Sequence, residues 1–268
     1  MTADISLGAD EAQHGCRAVR LHPGERTVYY APRNQVALFG APCHTSEFGG
    51  LSVTFATPGR MLRIPTIDPT RTALLAVNFQ MSSLTAEQSP IARTAVEKTN
   101  ALASALRNAG GKVIWLRHTV ALTAPQALPR WLIDAQPDLH ERQAQDLQSG
   151  HPGHGLLDQM DVAKEDILHD KHRSSPFLGA GSTFYDTLRR LGIRSLIITG
   201  SPTNTCCESA ARDAAMLDLK VVFVSDATLA ESEDEHLSAL KTLGMHYCDV
   251  RSTAETLLLI RSGGGAAM

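Results

Sequence analysis

The stretch Ser195-Leu196-Ile197-Ile198-Thr199-Gly200-Ser201-Pro202-Thr203-Asn204-Thr205-Cys206-Cys207-Glu208 decides the fold. Its first five residues read as a strand, with the apolar centre Leu196-Ile197-Ile198 between Ser195 and Thr199. Gly200 and Pro202 interrupt that run. Thr205 and Glu208 then stand three residues apart, the spacing of a capping box, and open a helical pattern that continues to Leu217. A second apolar run, Val221-Val222-Phe223-Val224, follows. Strand, capped helix and strand in this order make a parallel βαβ unit.

The same alternation extends outward in both directions. Ala73-Leu74-Leu75-Ala76-Val77 is another continuous apolar run. A helix is expected from Ile91 to Asn108, with Ala92, Val96, Thr99, Ala103 and Leu106 on one face and Gly110-Gly111 ending it. Val113-Ile114-Trp115-Leu116 is the next strand and Ile167-Leu168 marks a third. A helix over Ser182 to Leu191 precedes the central run. Past Val224 come a helix from Glu233 to Leu243, headed by a capping box at Ser232 and Glu235, a short strand at Cys248–Val250, and a last helix. Strands alternating with helices imply right-handed crossovers and a three-layer α/β sandwich around a six-stranded, mainly parallel sheet. That domain is placed at 67–262. Residues 1–66 read as a loop-rich arm, with strand-like runs at Thr27–Tyr30 and Leu51–Phe55 and punctuation at Pro23-Gly24, Gly49-Gly50 and Pro58-Gly59; residues 263–268 are a tail. Ala121 to Ala163 is a long irregular stretch, the usual form of a lid or substrate wall.

Bulk properties narrow the classes of function. The net charge of −3 gives no electrostatic reason to expect nucleic acid or an anionic membrane as partner. No apolar run reaches the roughly 18 residues a membrane helix needs, and Met1 to Asp10 has no apolar core of a secretory signal. Five cysteines, two of them adjacent, do not make a disulfide framework, so a reducing cytoplasm is expected. No glycine-rich phosphate cradle occurs, so no nucleotide cofactor is expected, and the partner is a small-molecule substrate.

In an open parallel sheet the ligand sits at the carboxyl ends of the strands. Asn78, Lys171 and the Gly200–Cys206 turn lie there. At the first position of a capped helix, Cys206 would feel exposed N–H groups and the helix dipole, which favour its thiolate. A bland alternative is that Cys206 and Cys207 are small buried residues. Lys171 beside a thiolate would supply positive charge and a proton; its bland alternative is a solvated lysine at a strand end.

Gly200 to Ala214 resembles the nucleophile motif of the isochorismatase-like cysteine hydrolases. Lys171-His172-Arg173-Ser174-Ser175-Pro176-Phe177 resembles their Lys-x-x-x-Ser-x-Phe segment, and Val224-Ser225-Asp226-Ala227 and Asp249-Val250 also match. The similarity covers about Ile67 to Ile260. It implies a parallel six-stranded sheet between helices and an Asp–Lys–Cys triad that cleaves amide, carbamoyl or ureido C–N bonds through a thioester. It also implies Cys206 as nucleophile, Lys171 as the lysine, and assembly as a dimer or tetramer.

This chain departs from that pattern twice. In Ala76-Val77-Asn78-Phe79-Gln80, Asn78 occupies the position of the aspartate, and an amide cannot act as a general base. An engineered trap, a protein that has lost hydrolysis, or altered chemistry in which Asn78 only orients its neighbours would each account for it; the differing neighbours Phe79, Met81 and Ser82 favour natural divergence. Second, relatives enter the nucleophile turn through a cis peptide whose N–H joins that of the nucleophile in the oxyanion hole. Here the residues are Ser201, Pro202 and Cys206. A cis Ser201–Pro202 bond is expected, but proline has no N–H to donate, and Asn204, Asn78 or a water would have to substitute.

The remaining candidates are substrate contacts: Phe177 and Trp131 as apolar walls, His118 at the end of the second strand, and Asn204 and Gln80. His118 also reads as a structural histidine. His151 and His154 have metal-like spacing, but the family's metal cluster is missing after the first helix, so no metal is expected. The reading is a cofactor-independent hydrolase. Its alternatives are a secondary-metabolite tailoring enzyme in which Cys206 is a bystander and a ligand-binding pseudo-enzyme.

Overall fold

The computed structural model describes residues 62–82, 90–121, 123, 126–179 and 181–263, together with the backbone of four short strands nearer the amino end. Of those four, β1 (Arg17–Val19) pairs antiparallel with β2 (Val28–Tyr30), and β3 (His44–Phe48) with β4 (Leu51–Phe55). The expected strand runs of the arm fall on β2 and β4. Its Gly and Pro punctuation, Cys16, Cys43 and the tail from residue 264 lie outside the described residues. The chain divides into two units, 1–60 and 61–268.

In the second unit, six strands build one sheet: β5 (Thr72–Val77), β6 (Lys112–His118), β7 (Ile167–Lys171), β8 (Ser195–Gly200), β9 (Lys220–Thr228) and β10 (Asp249–Arg251). Their order is β10-β9-β8-β5-β6-β7, and every neighbouring pair is parallel. The central strands β5 and β8 are buried at every position, which is why each has a continuous apolar centre, Ala73–Val77 and Leu196–Ile198. The chain moves outward from β5 through β6 to β7, then returns to β8 and moves out the other way. The β5/β8 boundary is therefore the switch point, where the crossovers diverge and leave a crevice beyond the carboxyl ends.

Alternation along the strands splits the core in two. Leu74, Ala76, Trp115, Ile197 and Val222 face α1 (Pro90–Asn108) and the last helix, at Leu102, Leu106, Leu259 and Ile260. Leu75, Val77, Leu116, Ile198 and Phe223 face the helices on the other side, at Phe184, Leu188, Ala210, Ala214 and Leu243. In chain order the remaining helices are α2 (Arg130–Ala135), α3 (Pro137–Asp146), α4 (Phe184–Arg190), α5 (Glu208–Met216), α6 (Glu233–His246) and α7 (Thr253–Gly263). The segment just before the sheet is tied in as well: Leu62 N–H donates to the Gly244 carbonyl, and Ile64 N–H to the buried Asp249 carboxylate at 2.8 Å.

Two sequence expectations need correction. The stretch Ala121 to Ala163 is not irregular throughout, since it carries α2 and α3. Pro129 and Pro137 suggested breaks, but each stands at a helix start, where a missing N–H costs nothing. The capping box at Thr205 and Glu208 does not form. Thr203–Cys207 instead makes a wider turn in which Cys207 N–H reaches back to the Pro202 carbonyl at 3.1 Å. Glu208 consequently opens α5 itself, and its carboxylate turns forward to Arg212 at 2.6 and 2.9 Å. The box at Ser232 and Glu235 does form and heads α6.

One buried ion pair fastens α1 to the sheet. The Asp166 side chain, 1% exposed, accepts from Arg107 Nε at 3.0 Å, and from Trp115 Nε1 at 2.8 Å and Ala163 N–H at 2.9 Å. Replacing it with alanine leaves the indole N–H without its acceptor and Arg107 with Asp161 alone, to which its Nη1 donates at 3.0 Å. Asp166→Ala should cost about 2–3 kcal/mol, seen as a fall in melting temperature of about 5–10 °C. A change within a degree or two would show the network to be dispensable.

Candidate active site

The site grows from the switch point. Asn78 follows β5 directly and has φ 52°, in the left-handed region that asparagine tolerates better than most residues. Its N–H donates to the Leu116 carbonyl at 2.8 Å, and Ser201 N–H donates to the Val77 carbonyl at 3.0 Å, so the end of β5 is held between β6 and β8. Gly200 is required there: its φ is +125°, and a Cβ would stand 2.1 Å from the Val77 carbonyl oxygen. The Ser201–Pro202 peptide bond is cis, as expected.

Beyond it, the wide turn carries Cys206, 6% exposed, against the helical face of the sheet that holds Leu116 and Phe223. Lys171 ends β7 and is 2% exposed. Its Nζ lies 3.4 Å from Cys206 Sγ and also donates to the Arg173 carbonyl at 3.2 Å. A buried ammonium touching a sulfur stabilises the thiolate and can deliver a proton to a leaving group. Cys207 and Cys248 are different: burial pushes the Cys207 thiol well above its ordinary range, with the neighbouring Cys206 acting in the same direction, and burial pushes Cys248 up to about 12.

Asn78 joins this pair through the turn. Its Nδ2 donates to the Ser201 carbonyl at 2.9 Å, while its Oδ1 is buried with no partner among the described residues. The oxyanion donors implied by the resemblance are reduced here. Pro202 has no N–H, and that of Ser201 is engaged by Val77. Of Ser201, Pro202 and Cys206, only Cys206 has an N–H left for that role.

The other candidates separate. His118 ends β6 and is the register partner of Lys171. Burial, followed by the charge of Lys171, holds its imidazole well below the usual histidine range. Phe177 is half-buried and packs edge-on against Phe184, ring centroids 5.1 Å apart. Trp131 lies on α2 and is 70% exposed. Asn204 lines a groove with Glu208, Asp234 and Ser238, on the α6 side of the turn. Gln80 is fully buried and its amide is engaged by backbone: Nε2 donates to the His118 and His154 carbonyls, and Oε1 accepts from His118 N–H at 2.7 Å. It acts as a clamp on its neighbours and has no donor free for substrate. His154, 2.8 Å from Thr119 Oγ1, completes this clamp with its buried ring. Sequence reading missed that arrangement, because nothing in a Gly/Pro loop shows which strand end it closes on.

The family model of the Isochorismatase domain matches residues 72–255, well over half of the chain. The chain belongs to the isochorismatase family. Ureidoacrylate amidohydrolase RutB of Azorhizobium caulinodans is 31% identical to it over 183 residues, covering 65% of this chain and 70% of that one. RutB of Variovorax paradoxus is 44% identical over 73 residues, 27% of this chain and 28% of that one, so the chain spans little more than a quarter of that relative. Among solved structures, a cysteine hydrolase from Pseudomonas syringae pv. phaseolicola superposes with a TM-score of 0.67 at 25% identity, over 77% of this chain and 100% of that one. The family's α/β sandwich is thus the fold seen here.

Proposed function

We propose that this isochorismatase-family chain is a cysteine hydrolase that cleaves an amide, carbamoyl or ureido C–N bond of a small metabolite through a thioester on Cys206. The observation that carries the reading is the 3.4 Å contact between Lys171 Nζ and Cys206 Sγ, both buried, at the switch point of the sheet. The names of the aligned amidohydrolases support the bond type. Cys206 attacks the carbonyl, Lys171 balances the thiolate and protonates the departing amine, and water cleaves the thioester. No cofactor enters this scheme. Phe177, at the family's Phe position, is taken as a wall for the substrate. The reading also takes the enzyme as a cytoplasmic dimer or tetramer; among the described residues no helix is long and apolar enough to cross a membrane.

One observation favours a second reading, a family member with altered or lost hydrolysis. An amide stands where the resemblance puts the aspartate, and its Nδ2 is already bound to Ser201. Iodoacetamide near neutral pH, with the adducts mapped, separates the two. Preferential labelling of Cys206 over Cys207 and Cys248, with amine or ammonia released from a panel of small amides and ureas, is the expected result. Labelling without preference for Cys206 sides with the second reading.

A further inference from the structure

A hydrolase with asparagine at position 78 lacks the carboxylate that would take a proton, and the structure holds another candidate for the task. Strand alternation puts His118 on the same face as Ile114 and Leu116, the face against which Cys206 packs. On β7 the same alternation carries Lys171 to the face of Ile167, and His118 and Lys171 are register partners. His118, Lys171 and Cys206 therefore converge at one end of one sheet face. His118 Nε2 is buried with no hydrogen-bond partner among the described residues, and so is Asn78 Oδ1 at the end of the adjacent strand. The Asn78 bond to Ser201 fixes which end of its amide is unpartnered. Two orphaned acceptors are costly unless a bound molecule satisfies them, and one water has two O–H groups to give.

We propose that His118 is the base for the hydrolytic water, with Asn78 Oδ1 holding that water's second O–H. This rests on the thioester reading above. Water adds to the thioester carbonyl carbon, and as the C–O bond forms one proton passes to His118 Nε2. The tetrahedral intermediate then breaks its C–S bond, Cys206 leaves as thiolate beside the Lys171 ammonium, and the acid product departs. His118 gives its proton to solvent. The role needs a neutral imidazole protonated on Nδ1. Burial and the surrounding Lys171, His172, Arg173 and His154 keep it uncharged at neutral pH. The same surroundings weaken it as a base, so turnover is modest. Its backbone is held by Gln80 rather than by its ring, so the ring can be changed without loosening β6.

The test uses the full chain with His118→Gln, Asn78→Asp and the double variant, on whichever amide or urea the unmodified protein turns over. His118→Asn serves if the glutamine variant does not fold. His118→Gln is expected to lower kcat about 10²-fold, to let a Cys206 acyl adduct accumulate as a burst, and to leave the alkylation rate of Cys206 unchanged. The acid limb of kcat, below the ordinary histidine range, is lost with it. In the Asn78→Asp background a carboxylate can take the proton, so the same His118→Gln change costs less than about tenfold. An equal penalty in both backgrounds, or a parallel fall in Cys206 alkylation, overturns the proposal in favour of a structural histidine. Failure of the hydrolase reading shows separately, as no acyl adduct on any variant, the unmodified chain included.

Discussion

Replacing Cys206 with alanine is expected to lower hydrolysis by about 10⁵-fold and to abolish the acyl adduct in mass spectra of trapped enzyme. The chemistry leaves no substitute. The other described cysteines are sealed in the core, where burial holds their thiols protonated and outweighs the opposing charges of Lys171 on Cys207 and Arg212 on Cys248. The substitution removes one sulfur from a packed position among small residues such as Ala210, so the chain should fold normally. It does strip Lys171 Nζ of one of its two partners, leaving the Arg173 carbonyl. A modest stability loss, about 1–2 kcal/mol, is therefore expected beside the catalytic one. Unchanged turnover with intact folding would mean that Cys206 is a bystander and that the pocket works by other means.

Lys171→Met should separate catalysis from stability. Methionine matches the length and apolar body of lysine but carries no charge. Hydrolysis is expected to fall about 10³-fold, since the thiolate loses its counter-charge and the leaving amine its proton donor. Alkylation of Cys206 should slow in the same variant, because the cation in contact with the sulfur is gone. Stability should hold or rise: Lys171 is 2% exposed, and exchanging a buried charge for a well-packed apolar side chain is often neutral or favourable. A large drop in melting temperature, with Cys206 alkylation unaffected, would instead make Lys171 a structural member of the β7 edge.

The sheet was readable from sequence for a definite reason. Strands β5 and β8 are covered on both faces, so their polar residues Thr72, Ser195 and Thr199 stay at the strand ends and leave the apolar centres unbroken. Cys206, Lys171 and Asn78 were readable as residues that follow strands, where parallel sheets keep their ligands. What escaped depends on contacts distant in the chain. Glu208 looked like a cap until Arg212, one helical turn on, offered a stronger partner. The stretch Ala121 to Ala163 looked irregular, yet Pro129 caps α2 and Pro137 begins α3. Gln80 looked like a substrate ligand, yet its amide is engaged by the backbone of His118 and His154, residues 38 and 74 positions away. Trp131 looked like a pocket wall and lies open on α2. Local pattern cannot reveal which polar atoms are already taken.

The contact at Gly200 has a consequence for how such a site can change. There the main chains of two strands meet with no room for a single carbon atom, so the sulfur-bearing loop is aligned with the end of β5 chiefly by backbone. The Asn78 side chain adds one bond to that alignment, from its Nδ2 to the Ser201 carbonyl, on top of the backbone contact. Position 78 is thus a socket in a rigid frame, where an acid and its amide can be exchanged while the nucleophile stays put, and the chemistry of the pocket can be retuned without rebuilding the fold.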